Sequence, residues 1–89
     1  MTEAEVVILN DPGLHARPAS EFVRAASRFR SEIFLVKNGQ RVNGKSILGV
    51  LMLAAETGAR LKIQAHGPDE AEAVAALADL VNRRFGIEG

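Results

Sequence analysis

The sequence predicts an α+β protein in which a four-stranded antiparallel sheet carries three helices on one face. Strict alternation of apolar and polar residues over Arg60-Leu61-Lys62-Ile63-Gln64-Ala65-His66 is the period of a strand with one wet and one buried face. Apolar residues recur at helical spacing in two stretches, at Ala19, Phe22, Val23 and Ala26 and again at Ala71, Val74, Ala78 and Val81. The signals interleave as β-α-β-β-α-β-α, and strands with a single apolar face need cover on one side only.

The elements follow in order. Val6-Val7-Ile8-Leu9 is a β-branched run ended by the turn cluster Asn10-Asp11-Pro12-Gly13. A first helix runs from Ala16 to about Arg28, with Phe22, Val23 and Ala26 directed inward and Phe29 closing the core at its end. Glu32 to Lys37 reads as a strand, Asn38-Gly39 as a type I′ hairpin turn, and Gln40 to Asn43 as the partner strand. Gly44-Lys45 breaks the pattern, Ser46 caps a short apolar helix from Ile47 to about Ala55, and Gly58 stops it. After the alternating strand, Asp69 and Glu72 form a capping-box pattern opening a last helix, which Gly86 ends after Phe85.

Eighty-nine residues hold one domain, spanning 1–89, and a chain this short buries only about 60% of its unfolded surface. With 47% hydrophobic residues it is too apolar for disorder. No apolar run reaches the ~18 residues of a membrane-spanning helix, so no membrane insertion is expected. Met1-Thr2-Glu3-Ala4-Glu5 is acidic and lacks the basic and apolar regions of a secretory signal, which gives a cytoplasmic expectation. Cysteine is absent, excluding disulfides and thiolate chemistry. The two histidines, His15 and His66, lack ligand spacing, so neither a metal nor another cofactor is expected. Lysine plus arginine equals aspartate plus glutamate at eleven each, and Trp and Tyr are missing, which leaves no electrostatic or stacking case for nucleic acid. Locally, Arg17, Arg24 and Lys45 offer a basic side that an acidic partner can read.

The chemistry concentrates in Gly13-Leu14-His15-Ala16-Arg17-Pro18-Ala19. His15 stands at the N-cap position. Pro18 fits the first turn, where a missing amide hydrogen sacrifices no intrahelical bond, and Gly13 lets the entering chain turn. The free amides of Ala16 and Arg17, the positive end of the helix dipole and the Arg17 charge all favour an anion beside His15. A neutral imidazole attacks phosphorus through its free ring nitrogen, and the phosphoimidazole formed is itself a good donor. His66 falls on the polar phase of its strand and is read as an exposed strand-end residue.

The seven-residue stretch resembles the active-site signature of the HPr family, the histidine-containing phosphocarriers of the bacterial phosphoenolpyruvate:sugar phosphotransferase system. Val42-Asn43-Gly44-Lys45-Ser46-Ile47-Leu48-Gly49-Val50-Leu51 resembles that family's second signature. Pro12 departs from the Ser or Asn often found there, so a side-chain hydrogen bond from this position to phosphate is not expected. The resemblance implies an open-faced β-sandwich with sheet order 1-4-2-3. It implies a monomeric carrier, not an enzyme, whose His15 Nδ1 takes a phosphoryl group from enzyme I and gives it to enzyme IIA domains of sugar permeases, with Arg17 supporting transfer. Ile47, Leu48 and Leu51 become a docking patch, and Ser46 becomes a site for a dedicated serine kinase, with a transcriptional regulator as a further partner. Two rival readings are a nitrogen-branch or purely regulatory HPr-like protein, and a noncatalytic anion-binding module in which His15 merely caps the helix.

Overall fold

A computed structural model describes residues 1–87. Its strands are β1 (Thr2–Val7), β2 (Glu32–Lys37), β3 (Gln40–Asn43) and β4 (Arg60–His66), and its helices are α1 (Ala16–Ala26), α2 (Ile47–Met52) and α3 (Glu70–Asn82). A 3₁₀ turn over Arg84–Gly86 follows α3. The strands form one antiparallel sheet in the order β1-β4-β2-β3, the order that the resemblance implies. Ile33, Leu35, Leu61, Ile63 and Ala65 on the covered face meet Ala19 and Phe22 of α1, Val50 of α2, and Val74, Leu77 and Val81 of α3 in one core. The other face carries Glu3, Glu5, Arg41, Lys62 and His66, all exposed, with the Arg41 guanidinium 3.6 Å above the Phe34 ring.

β2, β3 and β4 lie where periodicity puts them. Asn38 and Gly39 both have positive φ, 50° and 81°, as a type I′ turn requires. β1 begins earlier than its apolar run, because Thr2 to Glu5 pair with Ala65 to Lys62 of β4. Glu3 also accepts a hydrogen bond from Gln64 Nε2 at 3.0 Å. The acidic residues of this segment are therefore the outward phase of an edge strand, and pairing with β4 outweighs their poor strand propensity.

Helix ends show the same influence of tertiary partners. α1 stops at Ala26, short of Arg28, as the amides of Arg28 and Phe29 turn to the carbonyls three residues back. Val23 and Phe29 are half-buried at the margin of the core. α2 stops at Met52 instead of Ala55. The Leu53 and Ala54 carbonyls accept the Lys37 ammonium at 3.2 and 3.3 Å, and the Ala55 carbonyl accepts the Leu14 amide at 2.8 Å. Ala54, with φ 50°, makes the stop; Gly58 belongs to the later turn into β4. α3 buries Ala73, Val74, Leu77 and Val81, while Ala71 is exposed and Ala78 half-buried. With alanine on nearly every face its period is weak, and Leu77 decides which side packs. α3 ends at Asn82, and positive φ at Arg84 and Phe85 turns the Phe85 ring into the core before Gly86 is reached.

Asp69 does not close a capping box. Its carboxylate leaves the helix unassisted and crosses to the α1–β2 turn, where it accepts from the Arg30 and Ser31 amides, each at 2.9 Å, and from Ser31 Oγ at 2.5 Å. The Ser31 hydroxyl bond, followed by the Arg30 amide, lowers the Asp69 pKa from 3.8 to about 2. A lowered folded-state pKa gives stability that is complete above the ordinary value of 3.8 and is lost as pH falls toward about 2. The melting temperature of the parent is therefore expected to converge on that of Asp69→Asn between those two pH values. A gap that stays constant across this window would contradict the clamp. Glu70 titrates in the same range, its pKa lowered to about 2 chiefly by Thr2 Oγ1, and the difference between parent and variant separates the two carboxyls.

Candidate functional site: the α1 N-terminus

His15 lies at the N-cap position of α1 with φ −82° and ψ −173°, and its imidazole makes no capping hydrogen bond. The first bond of the helix runs from the Ala19 amide to the His15 carbonyl at 3.0 Å. Ahead of that bond stand the amides of Ala16 and Arg17, without intrahelical acceptors, and then Pro18, which has no amide hydrogen. His15, Ala16 and Arg17 are all exposed, so the ring, two amides and a guanidinium share one accessible helix end. Pro18 and Ala19 are buried immediately behind them and fix the first turn against the core.

The loop feeding His15 is held from below. Gly13 has φ +109°, and a Cβ there would stand 2.4 Å from the Ala55 carbonyl oxygen and 2.8 Å from Glu56 Cα. Glycine thus serves both the turn and a close backbone crossing. Buried Asn10 donates from Nδ2 to the Gly13 carbonyl at 2.9 Å, and Thr57 Oγ1 donates to the Asn10 carbonyl at 2.7 Å. The chain leaving α2 is therefore bonded to the loop that carries His15, and Lys37 holds the start of that chain.

Sequence reasoning did not single out Asn10, Thr57 or Lys37. The turn cluster flagged the location of Asn10, but its role depends on a contact with Gly13 that local pattern does not encode. Among the described residues buried Asn10 Oδ1 has no hydrogen-bond partner, a state that typically costs about 1–3 kcal/mol.

α2 packs beside α1. Ser46 is its N-cap, with Oγ accepting the Gly49 amide at 3.1 Å. Val50 faces the core, Leu51 is half-buried, and Ile47, Leu48 and Met52 are 40%, 67% and 62% exposed. The exposed apolar residues of α2 thus include Met52, which the sequence did not single out. Of the basic residues near the site, Lys45 Nζ donates to the Phe29 carbonyl at 2.7 Å, and exposed Arg24 lies 3.4 Å from Glu21. His66 is exposed at the end of β4, opposite Glu32. Among the described residues no group of three or more His, Cys, Asp or Glu is placed to hold a metal ion, and no helix is long and apolar enough to cross a membrane.

Comparison with known proteins places the chain among the phosphocarriers. The family described as "PTS HPr component phosphorylation site" matches residues 2–83. The chain is 49% identical over 86 residues to the phosphocarrier protein HPr of Neisseria meningitidis, covering 97% of each chain. It is 47% identical over 88 residues to that of Treponema pallidum, covering 99% of this chain and 100% of the relative. The crystal structure of HPr-C-His from Thermoanaerobacter tengcongensis superposes with a TM-score of 0.95 at 46% identity, covering 100% of both chains. The chain belongs to the HPr family, whose members named here are phosphocarrier proteins rather than free-standing enzymes.

Proposed function

We propose that this protein is a monomeric, cytoplasmic phosphocarrier that takes a phosphoryl group onto His15 from phosphorylated enzyme I and passes it to enzyme IIA domains of sugar permeases. The observation that carries the reading is the unengaged, exposed imidazole beside the free amides of the α1 N-terminus. That freedom favours a nucleophile over the rival in which His15 merely caps the helix. A free ring nitrogen of His15 attacks the phosphorus, the N–P bond to the donor histidine breaks, and the new N–P bond forms on His15. The Ala16 and Arg17 amides and the Arg17 guanidinium stabilise charge spread over the three transferring oxygens. Ile47, Leu48 and the edge of Leu51 supply apolar contact for the docking protein. No separate observation favours a nitrogen-branch role. The test is incubation with enzyme I and phosphoenolpyruvate followed by addition of an enzyme IIA domain. An acid-labile, base-stable phosphate that is chased to the IIA domain supports the reading, and an acid-stable phosphate or a failed chase rejects it.

Ser46 is the proposed point of regulation by a serine kinase, with a transcriptional regulator as a further reader of the modified surface. A phosphate at this N-cap meets the favourable end of α2 but places a dianion beside the Ile47 and Leu48 patch and against an acidic partner. Ser46→Asp keeps an oxygen acceptor for the Gly49 amide, so the melting temperature is expected to hold or rise. Half-saturating enzyme I concentration for transfer to His15 should rise roughly tenfold through weaker docking. Superimposable titrations for parent and variant would remove the coupling.

A further inference from the structure

The Gly13 carbonyl gathers two donors, the His15 amide at 3.0 Å and Asn10 Nδ2 at 2.9 Å. The first bond fixes the peptide plane from which the imidazole and the first turn of α1 depart, and the second fixes the carbonyl that holds it. Asn10 is 2% exposed and touches neither the ring nor the free amides through these bonds.

Among the described residues the buried Oδ1 of Asn10 has no hydrogen-bond partner, so the defined polar contact of its side chain is the Nδ2 bond to the Gly13 carbonyl. In an Asx turn the Oδ1 takes the amide two residues on. Here that residue is Pro12, which has no amide hydrogen. A small apolar residue at position 10 would spare the chain an orphaned acceptor at the loss of one neutral bond. Violations of polar satisfaction that a protein keeps are expected where function needs the geometry they enforce.

We propose that Asn10 is a positioning residue for phosphoryl transfer, setting the His15 backbone through the Gly13 carbonyl. The proposal rests on the reading of His15 as the phosphoryl acceptor. In-line transfer requires the attacking ring nitrogen and the oxyanion donors to keep one mutual geometry, and small misplacements of such groups carry large rate penalties. Asn10 supplies the constraint from beneath, and Thr57 holds Asn10 in turn through its backbone carbonyl at 2.7 Å.

Asn10→Ala removes the donor and the orphaned acceptor together, so the melting temperature should stay close to that of the parent. Transfer from phosphorylated enzyme I should slow about tenfold. Hydrogen exchange of the His15 amide, followed by NMR, should accelerate by about the same factor as its acceptor loosens, while the Ile63 amide in the sheet exchanges as before. Parental transfer rates in Asn10→Ala overturn the proposal. Slowed transfer with unchanged His15 exchange also overturns it, since Asn10 would then act by another route. If Asn10→Ala does not fold, exposed Thr57→Val loosens the same residue and should slow transfer roughly threefold; a parental rate there overturns the proposal. A parent that accepts no phosphate from enzyme I rejects the carrier reading and this inference with it. Failure of the inference alone shows as parent and variant transferring equally.

Discussion

His15→Ala is expected to lose all phosphoryl acceptance from enzyme I while keeping the fold. The imidazole is exposed and makes no capping bond, so its removal costs the folded state little packing and no cap. Surface substitutions of this kind change stability by about 0.5 kcal/mol or less. Transfer, in contrast, has no second route through this site, because His66 sits at the end of β4 rather than at a helix N-terminus. The measurement pairs labelling by enzyme I and phosphoenolpyruvate with a thermal melt. Label retained on the variant at the parental rate would reject His15 as the acceptor, and a collapsed melt would show that the ring is structural.

Gly13→Ala is expected to damage stability and transfer together. Two costs add at one residue: φ of +109° disfavours any L side chain, and the new Cβ would sit 2.4 Å from the Ala55 oxygen. That oxygen cannot simply retreat, since it accepts the Leu14 amide at 2.8 Å. Strained φ and overpacking each carry about 1–3 kcal/mol. A combined loss of about 3 kcal/mol lowers the melting temperature of a domain this size by roughly 15 °C. Relief of the clash moves the loop and His15 with it, so transfer should fall in the fraction that remains folded. A variant that melts with the parent would mean that the crossing of the two chains is looser than the geometry shows.

Local pattern carried much of the fold. The three strands with unbroken alternation or a defined hairpin turn, β2, β3 and β4, lie within the bounds that the sequence predicts, and Ser46 caps α2 as expected. The sequence was misleading wherever a distant partner decided the outcome. Glu3 and Glu5 lie ahead of the β-branched run and join β1 only through pairing with β4. α2 ends early where the Leu53 and Ala54 amides turn to carbonyls three residues back and Ala54 takes positive φ, and the carbonyls beyond go to Lys37 and Leu14. Asp69 reads as a cap but spends its oxygens on Arg30 and Ser31. The site divides in the same way. Gly13, His15, Ala16, Arg17 and Pro18 read as one motif, whereas Thr57 and Lys37 act across the fold and Asn10 acts through a buried turn contact with Gly13, none of which leaves a periodic trace. Sheet order entered through the family resemblance, since period and turn chemistry do not specify which strands become neighbours.

The central claim is that the free amides at the start of α1 receive a phosphoryl group carried by His15. It is tested most directly by amide NMR of the uniformly 15N-labelled protein before and after phosphorylation by enzyme I and phosphoenolpyruvate. The account predicts that the Ala16 and Arg17 amide protons move downfield more than any others, as charge-assisted hydrogen bonds to the phosphoryl oxygens form. The resonances around His66 should stay in place. Phosphorylation that leaves the Ala16 and Arg17 amides unmoved, or whose largest shifts surround another residue, would contradict it.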